Sequence, residues 1–226
     1  SAFAAGLRYV AMSPNLLRVI LRGFWFGLSA IALLALLPVV VRETLNSNAI
    51  VYGILLGCFG MGAVAGAILN ARLRAWLNNE TIAKGAFIGY AISCAVLAFS
   101  AQTVVSGAAL IVTGACWVLA LSMFNVTVQL STPRWVIGRA LALYQTGTFG
   151  GMAAGSLIWG ALAEWAGLDT ALLGASVLLV IGALIGLPFP LPEFGGLNLD
   201  PLNRFREPTT RFDLDYRSGP VIIMVD

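Results

Sequence analysis

The stretch Leu143–Trp165, "LYQTGTFGGMAAGSLIWGALAEW", decides how this chain is read. It is apolar enough for a membrane, yet it holds five glycines: Gly147, Gly150, Gly151, Gly155 and Gly160. In water each would cost a helix about 1 kcal/mol relative to alanine. Lipid changes that balance, because it gives helices no hydrophobic reason to associate. Close backbone approach over small residues is one substitute. The stretch therefore reads as a transmembrane helix built to lie against a neighbour.

The rest of the chain agrees. Of its 226 residues, 59% are hydrophobic and only 10% charged, where a soluble domain carries about 25% charged residues. Mean hydropathy is +0.91. No charge falls between Lys84 and Arg134. As one helix that run would reach roughly 70 Å, against a hydrocarbon core of about 30 Å, so it must cross twice. The expected fold class is an all-α membrane protein, a six-transmembrane-helix bundle with spans at 14–41, 49–70, 82–100, 104–128, 140–163 and 170–187. Ser13 and Pro14 supply a helix start, and Pro38 is expected to bend the first span near its far end.

Outside the six-helix unit 14–188, residues 1–13 read as a linker or interfacial segment. Residues 189–219, rich in proline and charge, read as a cytoplasmic linker, and 220–226 as the first strand of a cytosolic domain. The chain opens at Ser1 without an initiator methionine and stops abruptly, so it is expected to be a fragment.

Charge sets the orientation. Arg8, Arg18, Arg22, Arg72, Arg74, Lys84, Arg134 and Arg139 fall on one side of the expected spans, and Arg42 alone on the other, with Glu43, Glu164 and Asp169. Eight against one places both ends of the unit in the cytoplasm. Because the arginines sit at span ends, their expected partners are lipid headgroups, not nucleic acid. The chain has no histidine, which removes Ser–His catalysis and histidine metal sites. Cys58, Cys94 and Cys116 lie within spans at no ligand or disulfide spacing. Neither an enzyme nor a cofactor nor a metal is expected. No Asp, Glu, Lys or Arg is expected deep in a span, so a proton relay through this unit lacks its group.

Gly147, Gly151 and Gly155 line one face of the fifth span, and Gly53, Gly57, Gly62 and Gly66 do the same in the second. These faces read either as static helix packing or as seams on which helices slide. "FGMGAVAGAIL" in the second span resembles "FGGMAAGSLI" in the fifth with a one-residue shift. Each stretch lies in the middle helix of a triplet, and the two triplets run in opposite directions, as in inverted repeats. Tyr144, Gln145, Thr146 and Thr148 share the cytoplasmic third of the bundle with Ser122, Asn125 and Gln129 of the fourth span. They either line a watery cavity or pair with one another. Trp25, Trp76, Trp135, Trp159 and Trp165 fall near expected interfaces. Trp117 is mid-span, as a packing residue or as a stacking platform for substrate.

Six spans, cytoplasmic ends, paired glycine-rich middle helices and the stretch "PRWVIGRALALYQTGTFGGMAAGSLIWG" together resemble the C-terminal half of a major facilitator superfamily transporter, in particular the enterobactin-exporter-like branch of bacterial efflux proteins. The resemblance implies helices seven to twelve of twelve, in a bacterial inner membrane, with a missing N-terminal half as partner. The first and fourth spans would line the cavity, the second and fifth face the other half, and the third and sixth lie outside. The glycine faces would then be where the halves rock. Small amphipathic molecules such as siderophores or drugs would be carried outward by alternating access. Trp117, Ser122, Asn125, Gln129, Tyr144, Gln145 and Thr148 are the expected cavity residues. The family's loop motif Gly-x-x-x-Asp-Arg-x-Gly-Arg-Arg is degraded here to Gly66, Arg72 and Arg74, with Asn70 where the acid belongs. An amide can cap a helix but cannot make the charged latch. Asn70, Arg72, Arg74, Arg134 and Arg139 form the expected cytoplasmic gate. The tail "GPVIIMVD" is similar to the first strand of a small α/β domain like the antibiotic-biosynthesis monooxygenases. The rival reading is a stand-alone six-span scaffold or receptor domain, such as a homodimer, in which the glycine faces are permanent contacts.

Overall fold

The computed structural model describes residues 13–134 and 136–191, and six α-helices form among these described residues. They are α1 (Pro14–Val39), α2 (Ala49–Trp76), α3 (Asn79–Phe99), α4 (Thr103–Leu130), α5 (Ile137–Ala166) and α6 (Leu168–Ile185). The expected interfacial segment before residue 13, the linker from 192 onward and the strand at 220–226 lie outside the described residues. Five helices are long and apolar enough to cross a membrane. The sixth is α5, which carries the stretch quoted above. Its 30 residues are ample in length, but glycine and the Tyr-Gln-Thr opening dilute its hydropathy. The helix on which the membrane reading turned is thus the least apolar of the set.

Helix ends follow local chemistry. Pro38 stands inside α1, where it donates no backbone N–H and crowds the preceding turn. Two residues later the ladder widens into a π-helical segment, Val40–Thr44. Asn48 caps α2, its side-chain oxygen accepting from the backbone N–H groups of Ile50 and Val51. The charged connection expected after residue 70 is largely helical, because α2 continues through Arg72 and Arg74 to Trp76 and α3 begins at Asn79. Arginine is a good helix former, and Arg74 in the last turn complements the helix dipole. Gly167, at φ 94°, ends α5 and starts α6 without a longer loop.

The principal packing partners are α1 with α5, α2 with α4, and α3 with α4 and α6, while α6 also touches α1 and α5. Exchanging the first triplet of helices for the second turns α1–α5 into α4–α2 and α1–α6 into α4–α3. The main pairings are unchanged by that exchange, as the faint sequence repeat anticipates.

Glycine makes the two tightest pairings. Gly151 and Gly155 lie on the carbonyls of Phe24 and Leu28 in α1, and Gly147 faces Ile20. From α1, Gly23 and Gly27 answer against Tyr144 and Thr148. Gly62 and Gly66 of α2 lie on Ile111 and Ala115 of α4, whose Gly114 receives Phe59. A Cβ at Gly62, Gly114, Gly151 or Gly155 would collide with backbone. These seams join helices within the chain, which corrects the expectation that the whole glycine faces meet a rocking partner. Gly53 and Gly57 are different: a Cβ there would meet nothing within 4 Å.

Two tryptophans expected near the interfaces also bond across helices. Trp25 donates its indole N–H to the Leu178 carbonyl at 2.8 Å, and Trp159 donates to Leu28 at 2.7 Å. They tie helices together because a buried indole N–H needs an acceptor. Trp76 and Trp165 are exposed, as a belt position requires.

Candidate functional site

Four of the expected cavity residues come together. Asn125 of α4 and Tyr144, Gln145 and Thr148 of α5 line a cavity of about 70 Å³, closed by Leu121, Phe149 and Met152. Helical spacing explains the cluster. Tyr144 and Thr148 are four apart, so both fall on the face of α5 turned toward Gly23 and Gly27 of α1. Their hydroxyls are buried and meet no hydrogen-bond partner among the described residues. Gln145 is exposed and Asn125 half-buried, so the wall runs from a dry interior to an open edge. Buried hydroxyls without partners are uncommon. A cavity of this size holds a few waters or one polar group of a ligand, and that group would find donors and acceptors on both α4 and α5.

The other three expected cavity residues lie elsewhere. Trp117 packs among Phe26, Phe59 and Tyr90, with ring centroids 6.0 to 6.2 Å away. Tyr90 is itself anchored, donating its hydroxyl to the Ala30 carbonyl at 2.7 Å. Of the two readings of Trp117, this arrangement favours packing. Ser122 accepts a hydrogen bond from the Asn70 amide at 2.7 Å, so it ties α4 to α2. Gln129 is exposed near the end of α4.

Among the expected gate residues, Arg72, Arg74, Arg134 and Arg139 are exposed. Asn70 caps no helix N-terminus. It sits within α2, and its Ser122 contact stands where the family motif would place an acid.

The charged structure at this end lies in residues that the sequence reading passed over. Arg22 of α1 and Glu80 of α3 form a buried ion pair at 2.5 Å, with the residues 5% and 7% exposed. Lys84, one turn along α3, stands 3.7 Å from the second carboxylate oxygen. The backbone N–H of Leu191, past the end of α6, donates to Glu80 at 2.8 Å. Gly186 closes α6 directly over the carboxylate, where any Cβ would strike it. Glu80 is the second residue of α3, so the pair is buried between helices near their ends and not deep in a span. A carboxylate can be buried here because a guanidinium, an ammonium and a backbone N–H share it. The sequence did hold a signal. Glu80 is the single acid between residues 13 and 191 at the arginine-rich end of the chain.

Comparison with known proteins gives a family. The family model described as transmembrane secretion effector matches residues 1–226, while no curated protein matches the chain significantly. Apolar membrane-length helices, an all-helical bundle and a match over the full chain lead to one conclusion: this chain belongs to the transmembrane secretion effector family, of major facilitator type, and is a multi-pass membrane protein with a role in transport.

Proposed function

We propose that the chain is a six-helix, C-terminal half of an exporter that moves small amphipathic molecules by alternating access, together with an N-terminal half of like size. The observation that carries this reading is α2. Only 17% of its most apolar window is buried, against 56% for α1 and α3. Ile54, Met61, Val64 and Ile68 are exposed along it. Lipid would tolerate the apolar side chains but gives no reason for Gly53 and Gly57 on that open surface. Close approach of another helix does. The family membership and the exchange-symmetric helix pairings support the same reading.

In this proposal Asn125, Tyr144, Gln145 and Thr148 contact substrate where α4 meets α5, with the partner half completing the cavity. Arg72, Arg74, Arg134 and Arg139 form the surface that meets the partner half at the cytoplasmic gate. Both ends of the bundle face the cytoplasm of a bacterial cell, supported by the eight-to-one bias of basic residues. Siderophores or drugs fit the half-dry, half-polar wall as substrates.

The test is cysteine accessibility in the protein expressed with its upstream coding region, in a Cys58→Ala background. Gly53→Cys and Gly57→Cys should change their labelling rates when substrate is added. A fixed rate at both positions, in protein that still exports, would end the assignment of α2 to the moving interface. Asn125→Ala and Tyr144→Ala should each lower export while folded protein persists.

A further inference from the structure

The arginine end of the bundle holds a second, larger cavity. It has a volume of about 500 Å³ and lies where α1, α3 and the end of α6 meet, apart from the polar cluster between α4 and α5. Among the described residues, Arg18 and Arg22 are its only charged lining residues, and the remaining lining is apolar, including Trp25, Phe87 and Ile185. Its rim reaches the outside of the bundle through Leu21, 57% exposed, and Phe189, 49% exposed. An apolar chamber of this size is in the range that holds a ligand.

Arg22 makes it more than a packing defect. One of its terminal nitrogens engages Glu80, while Nε and the other terminal nitrogen are buried and have no partner among the described residues. A guanidinium has five N–H donors, and leaving them unsatisfied away from water is costly. Arg18 stands beside it with its guanidinium 5.5 Å from the centre of the Phe189 ring. Arg22 and Lys84 share one carboxylate, Glu80, and Arg18 lines the same cavity with no acidic partner shown among the described residues. The surplus is positive and the walls are greasy.

We infer that this cavity is a binding site for an anionic phospholipid of the leaflet at the arginine end of the bundle. The phosphate would take the free donors of Arg22 together with Arg18, in the planar geometry that guanidinium offers a phosphate. An acyl chain would lie along Trp25, Phe87 and Ile185. Basic pockets between transmembrane helices are suited to such headgroups. Because Glu80 also holds Leu191 and sits under Gly186, a lipid on Arg22 would steady the point where α6 ends and the chain leaves the bundle.

The test uses the full chain in mild detergent and native mass spectrometry, titrating phosphatidylglycerol against phosphatidylcholine of the same acyl composition. Phosphatidylglycerol should be retained with about a tenfold preference. Arg18→Gln, a half-exposed residue outside the buried pair, should cut that preference severalfold. The double variant Arg22→Gln/Glu80→Gln removes both buried charges together and should abolish it. Ile185→Trp fills the chamber and should lower phosphatidylglycerol retention with both arginines in place. Equal retention of the two lipids by the unaltered chain would overturn the proposal, as would an unchanged preference in folded Arg18→Gln and Ile185→Trp proteins. Inorganic phosphate serves as the headgroup-only probe. If it displaced phosphatidylglycerol completely at millimolar concentration, the site would read a free anion and the lipid assignment would fail.

Discussion

Gly57 and Gly62 lie on the same apolar helix, five residues apart, and face opposite circumstances. Gly62 lies on the backbone of Ile111, close enough that no side chain could be added, while Gly57 has open space before it. The same split divides the charged groups. Arg22 and Glu80 are sealed inside the bundle, whereas Arg42 and Glu43, paired at 2.7 Å at the other end, are exposed. Residue types are alike in each comparison, but surroundings are not. What a glycine or an ion pair does in this protein depends on which face of its helix the neighbour occupies.

The contrast is sharpest for charge. Arg22→Ala leaves a buried carboxylate short of its main partner and should cost about 3–5 kcal/mol. Arg42→Ala should cost no more than about 1 kcal/mol. Denaturant titration of the purified full chain would measure both, and equal costs would show that the inner pair is not sealed from water. Next come the packed glycines. Gly62→Leu and Gly151→Leu each drive a side chain into a neighbouring backbone and should destabilise by about 1–3 kcal/mol, or more where the helices cannot part.

Smaller effects probe the polar ties. Trp159→Phe removes the donor to Leu28 while keeping a ring between α5 and α6, for an expected loss of about 1 kcal/mol. Asn70→Ala breaks the link to Ser122 and should cost about 0.6 kcal/mol, the average for an interhelical hydrogen bond in a membrane protein. At the far end of the scale, Gly57→Ala should be neutral or stabilise α2 by up to about 1 kcal/mol. Under the proposed function, the bulkier Gly57→Leu would leave the fold intact yet lower transport. A large stability loss from Gly57→Ala would instead mean that the open face is already packed.

Much of the site was legible. Asn125, Tyr144, Gln145 and Thr148 could be grouped from sequence because polar residues at helical spacing in an apolar span share a face, whichever neighbour they meet. Ser122 and Gln129 were grouped with them on the same ground, Trp117 because it is a mid-span tryptophan, and all three went elsewhere. Their positions along α4 are right, but their directions around it point to the aromatic core, to α2 and to the exposed end of the helix. The Arg22–Glu80 pair escaped notice because its members are 58 residues apart, and both looked like ordinary basic and acidic flanks of a span.

Composition and charge distribution determined by themselves that this chain is a helical membrane protein, roughly where its helices run, and which end is basic. Those properties follow from transfer of side chains and backbone out of water, which acts residue by residue and can be summed along a sequence. Only the tertiary structure decided which glycines touch, which tryptophans tie helices together and which arginine is buried. Those outcomes depend on the rotation of each helix about its axis against its neighbours. That rotation is fixed by close packing between residues far apart in the chain, so no single helix carries it in its own sequence.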